Sequence, residues 1–174
     1  MSFSLTEFVQ SARSAAANAR PVAAVNTLMS QTFAEPQAIA KAVGSFIAAF
    51  ECLHEDDEVS VYTVRFSPHE LVPPHNHRIH AFLGVYEGTE VNLLYRQVAS
   101  GQLALANRRV LNPGHTRLLL LFIPTFFPII LLPLFTIVCV IRKDVRKKIG
   151  TDLVKTERIY QVAEIVEADY TRWV

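Results

Sequence analysis

An uncharged apolar run of 24 residues, at positions 118–141, constrains this chain more than any other feature. About 20 apolar residues in a helix cross a bilayer core. Arg142, Lys143, Arg146, Lys147 and Lys148 follow at once, which is the form of a basic cytoplasmic flank. The first expectation is therefore one transmembrane helix over residues 118–141, in contact with membrane lipid. Pro124, Pro128 and Pro133 stand inside the run. Each costs roughly 3 kcal/mol in a soluble helix, and in lipid each needs neighbours that re-satisfy freed carbonyls. The alternative is a buried core segment that the prolines cut into two or three short strands. Localisation follows: single-pass membrane if the span is genuine, otherwise cytoplasmic. A run dominated by Leu, Ile, Phe and Pro is also what pyrimidine-rich codons specify, so a third expectation is a segment foreign to the domain before it.

The 174 residues suffice for one ordinary domain. Lys and Arg total 17 against 16 Asp and Glu, which excludes a strongly basic nucleic-acid binder and an acidic disordered chain. Two cysteines, Cys52 and Cys139, cannot make a disulfide framework or a cysteine-based zinc site. The first 20 residues lack a continuous apolar run, so no secretory signal is expected.

Residues 1–57 read as helical. Ser4 with Glu7 three positions on forms a capping box, and Pro21 and Pro36 suit the first turns of a second and third helix. Ile39, Val43, Phe46, Ile47, Phe50 and Leu53 recur at three- and four-residue steps, so the third helix is expected to continue to about residue 57, with Cys52 a buried thiol on it. From Val59 the pattern changes to alternation. Segments 59–67, 78–87, 90–97 and 103–110 read as strands. Gly88, Ser100–Gly101 and Pro113–Gly114 supply turns, which argues for an antiparallel sheet or part of a β-barrel. After the apolar run, residues 142–174 read as a basic flank and a C-terminal amphipathic helix.

Four of the six histidines, His69, His75, His77 and His80, lie within twelve positions. Residues two apart on a strand point to one face, so His75 and His77 could offer two ring nitrogens to one divalent metal. A bare His-x-His is weak by itself. Arg65, on the first strand, could reach a carboxylate through its guanidinium fork, and a solvated strand arginine is the plainer reading.

Segment 61–96, with His75-Asn76-His77, a spacer and then Gly88, resembles the first motif of the cupin superfamily. Ala81 stands where that motif often has Glu. Together with His80, the phrase Gly84-Val85-Tyr86-Glu87-Gly88, Asn92 and Tyr95-Arg96, this is similar to the three-histidine branch, the cysteine dioxygenases and related thiol dioxygenases. The resemblance covers roughly residues 40–115. It implies a mononuclear iron(II) site, held by His75 and His77, that oxidises a small thiol to a sulfinate with dioxygen. The family's third histidine comes from a later strand. No histidine follows His115, so His115, at a turn position usually held by an acid, is the remaining candidate ligand. Arg65 is the candidate substrate-binding residue, and His80 a hydrogen-bond partner behind the ligands.

The sequence thus implies an α+β chain: N-terminal helices (1–57) packed on a partial cupin-like antiparallel β-barrel (58–117), then an apolar transmembrane-like helix (118–141) and a tail (142–174). Its expected function is that of an iron-dependent thiol dioxygenase-like oxidoreductase, inactive if the missing second motif is essential. The alternative is a non-enzymatic single-span membrane protein with a β-sheet binding domain.

Overall fold

The computed structural model describes residues 2–44, 50–67, 72–75, 80–98, 103–119, 125–127 and 134–141. Three short helices open the chain. In α1 (Leu5–Ala16) the Ser4 Oγ accepts the Glu7 N–H at 3.4 Å, satisfying one of the orphan donors at a helix start. Its buried residues Phe8, Ala12 and Ala16 step by four along one face. Proline stands in the first turn of both α2 (Pro21–Thr32) and α3 (Pro36–Val43), as expected where an N–H is not needed. Val25 and Met29 of α2 and Ile39 of α3 are fully buried.

The third helix does not reach residue 57. It stops at Gly44, which takes φ +72°, a left-handed conformation that ends helices. Phe50–Glu55 forms strand β1 instead. Of the apolar stripe that read as helical, Ile39 and Val43 lie in α3, whereas Phe50 and Leu53 lie in β1. Cys52, expected to be buried, is exposed on β1.

Strand β2 (Val59–Phe66) pairs antiparallel with β1. It is followed by β3 (Val72–His75), β4 (Ala81–Glu87), β5 (Glu90–Gln97), β6 (Leu103–Leu111), β7 (Thr116–Leu119), β8 (Thr125–Phe127) and β9 (Leu134–Ile141). Two antiparallel sheets result, one ordered β1-β2-β9-β4-β7 and the other β3-β8-β5-β6. The strands expected at 59–67, 78–87, 90–97 and 103–110 correspond to β2, β4, β5 and β6.

The apolar run is where the structure overturns the first expectation. Residues 134–141 are a central strand, paired with β2 from Val59↔Ile141 to Phe66↔Leu134 and with β4 on the other side. Residues 125–127 form β8, bounded in sequence by Pro124 and Pro128, and Pro133 directly precedes β9. In sequence the prolines thus fall just outside the two strands, as suits a residue that cannot donate to a ladder. No helix among the described residues is long and apolar enough to cross a membrane. Nor is β9 foreign to the domain, since it joins β2 to β4. The basic flank and the amphipathic helix expected over 142–174 lie outside the described residues.

The helices cover one face of the larger sheet. Phe8, Met29, Phe33 and Ile39 form a single core with Val59, Val61, Phe82, Tyr86, Ile137 and Cys139. Alternation then assigns the two faces. Odd-numbered residues of β2 and even-numbered residues of β4 meet the helices, and the intervening residues face the space between the sheets.

Candidate functional site

His75 is the last residue of β3. Its backbone stands opposite Thr125 of β8, which in turn stands opposite Leu94 of β5. One register row therefore runs from His75 to Leu94, about 10 Å across two strand spacings. His77 lies outside the described residues.

His115 sits elsewhere. It ends the turn between β6 and β7, exposed to solvent. Its N–H donates to the Asn112 carbonyl at 2.9 Å, and its own carbonyl accepts the Val85 N–H at 3.1 Å. The ring Nδ1 accepts the Asn112 N–H at 3.2 Å. That bond engages the Nδ1 lone pair. Val85 is near one end of β4, and His80, half-buried, precedes the other. His80 and His115 are thus roughly 15 Å apart along that strand. Two neutral imidazoles suit iron(II), but the described residues do not complete the expected three-histidine set, and no group of three His, Cys, Asp or Glu among them could hold a metal ion.

Arg65 shares the face of Val61 and Thr63, the one turned toward the helices, and pairs in register with Phe135. Its Nε is buried with no hydrogen-bond partner among the described residues.

A different polar group occupies the space between the sheets. Arg117 pairs in register with Leu83, on the face turned away from the helices. Its neighbours Thr116 and Leu118 turn the other way: the Thr116 hydroxyl lies 3.4 Å from that of Ser30 in α2, and Leu118 packs on the helical core. Across the gap, β5 buries Glu90 and Asn92, each 0% exposed. The Asn92 side-chain amide donates to Glu90 Oε1 at 2.7 Å. Glu90 Oε2, Asn92 Oδ1 and an Arg117 Nη atom are buried with no hydrogen-bond partner among the described residues.

Electrostatics follow from that burial. Desolvation pushes the Glu90 carboxyl up to about 7, against the opposing pull of the Asn92 hydrogen bond and the Arg117 charge. Arg117 is lowered from its usual value, first by burial and then by Arg109, with Glu90 pulling the other way. Arg117 also lines a cleft of about 740 Å³ beside α2, with Leu94, Arg96, Arg109 and Leu118. Sequence reasoning missed Glu90 and Arg117. Polar residues two apart on a strand look like a solvated face, and only the second sheet reveals that they are covered.

No protein-family model matches the chain, and no curated protein matches it significantly. Solved structures similar to it include the DMSP lyase DddQ from Ruegeria pomeroyi DSS-3, at 20% identity over 57% of this chain and 52% of that one, with a TM-score of 0.43. A cupin 2 conserved barrel domain protein from Leptotrichia buccalis matches at 14% identity over 57% and 44%, TM-score 0.44. The polyketide cyclase RemF from Streptomyces resistomycificus matches at 18% identity over 53% and 63%, TM-score 0.41. The chain spans about half the length of the first of these. These are partial likenesses, and a cupin-fold barrel is among them.

Proposed function

We propose that the chain is a cupin-like metalloprotein of the thiol dioxygenase type, in which His75 and His77 hold an iron(II) ion and a small thiol is the substrate. Iron(II), when bound, supplies the redox chemistry by which dioxygen adds both its oxygen atoms to a thiol, RSH + O₂ giving RSO₂H. What this chain's own residues contribute is the setting. The two-sheet arrangement gives His75 a fixed register row on the sheet that also carries Glu90 and Asn92. Leu93, Leu94 and Tyr95 of β5 are buried, which limits water at that row. Glu90, held near neutrality by burial, can take up or release a proton inside the fold.

The observation that carries the reading is the His75–Thr125–Leu94 row, joined to the sequence motif around His75 and Gly88. The test is metal analysis of the purified full chain, together with oxygen uptake and sulfinate formation over a panel of small thiols. The reading expects about one iron per chain, lost in His75→Ala, and stoichiometric oxygen uptake with one of the thiols. A metal-free wild-type protein that cannot be loaded with iron(II) would overturn it and favour a non-enzymatic binding role for the sheets.

A further inference from the structure

The cleft beside α2 has a composition that the metal reading does not use. Its described lining holds three arginines, Arg96, Arg109 and Arg117, and no acid. Arg109 acts unfavourably on Arg117, so two like charges share the cleft. An Arg117 Nη atom is buried with no hydrogen-bond partner among the described residues, and a buried guanidinium donor without an acceptor is costly. Glu90 is the acid whose charge reaches Arg117, but it bonds Asn92 instead. The remaining walls are mixed, with Leu94, Tyr95, Ala106 and Leu118 apolar and Asn26, Ser30, Asn107 and Thr116 polar. A volume of about 740 Å³ lies in the range of small-molecule sites.

We propose that this cleft binds a small organic monocarboxylate, its carboxylate on Arg117 and Arg109 and its hydrocarbon body against Leu94 and Leu118. A carboxylate fits the planar guanidinium fork in two-point fashion. A single negative charge suits the site better than a dianion, because the charge of Glu90 also reaches Arg117. Leu94 and Leu118 give a hydrocarbon body apolar contact, which favours an organic acid over an inorganic oxyanion. The inference is independent of any metal.

Calorimetric titration of the full chain with butyrate, hexanoate, hexanol and inorganic phosphate tests it. Hexanoate is expected to bind at least tenfold tighter than hexanol or phosphate, and tighter than butyrate. Arg117→Gln is expected to weaken hexanoate at least tenfold, whereas Arg108→Gln, an exposed residue opposite Leu93, leaves it unchanged. Should Arg117→Gln fail to fold, Arg109→Gln on the exposed β6 is expected to weaken binding severalfold. His75→Ala is expected to bind hexanoate as wild type does. Equal binding of hexanol or phosphate, wild-type affinity in both arginine variants, or loss of binding in His75→Ala alone would each overturn the proposal, the last because it would put the carboxylate on a metal.

Discussion

The ring of Phe33 fills the space that a side chain at Gly84 would occupy. A Cβ built on Gly84 would overlap the ring's outer carbons. Phe33 caps the C-terminus of α2, and Gly84 lies mid-strand in β4, opposite Ile137 and Thr116. The absent side chain lets helix and sheet close, so Gly84→Ala is expected to destabilise the protein by about 1–3 kcal/mol through overpacking. Urea unfolding followed by circular dichroism measures it. An unchanged midpoint would show that the ring can step aside.

Asp56 ties the β1–β2 connection to α1. One carboxylate oxygen accepts the Glu58 and Val59 N–H groups at 2.8 and 2.9 Å, and the other meets Arg13 at 2.7 Å and His54 at 3.0 Å. Desolvation pushes its pKa up, but the Val59 N–H, His54, the Glu58 N–H and Arg13 together outweigh it and hold the group at about 2, below 3.8. A depressed folded value means the contribution is fully present above the unfolded value and is lost as pH falls through the folded one. Wild type should therefore lose this stability between about pH 4 and pH 2. Asp56→Asn should be less stable at pH 7, by on the order of 1–2 kcal/mol, and should show a flatter melting profile across the acid window.

Glu90 has the opposite sign. Its folded value, raised by burial to about 7, lies above the unfolded one, so the native state binds the extra proton between them. Stability from this group is greatest below about pH 4.5 and falls as pH rises to about 7, by on the order of 3 kcal/mol. Glu90→Gln mimics the protonated form. The variant should match wild type near pH 4 and exceed it at pH 8, and parallel profiles for the two would contradict the burial of a titrating carboxyl.

The two cysteines should differ sharply in reactivity. Cys52 is exposed on β1, while Cys139 is buried in β9, where desolvation raises its thiol to about 12. The thiolate is the reactive form. One thiol should react quickly with a disulfide reagent in native buffer, and the second only in denaturant. Fast labelling of both would contradict the placement of β9 inside the sheet.

Much of the fold was legible in the sequence because local chemistry and tertiary structure agreed there. Ser4, Pro21 and Pro36 mark helix starts by their backbone chemistry alone, and the alternation of β2 and the turn at Gly88 needed no partner to be recognised. Two stretches misled. Phe46, Phe50 and Leu53 continued a helical stripe past Gly44, whose φ of +72° ends the helix. The run at 118–141 contains a strand paired on both sides with other strands, and its continuous apolar sequence carries no alternation by which a strand is identified. The candidate site was legible only as His75-Asn76-His77. Glu90, Asn92 and Arg117 come together through the pairing of β7 with β4 and the apposition of the other sheet, which no spacing in the sequence encodes.

Within the larger sheet, β2 and β4 are joined through β9, which lies some 70 residues after β2 and some 50 after β4. On the ribosome, both earlier strands emerge with bare edges well before the strand that joins them. Such distant pairing slows folding and prolongs the exposure of adhesive edges. A nascent chain stalled before residue 134 would hold its helices and the β1–β2 hairpin with no finished sheet to rest on, and it would be a natural client for a chaperone.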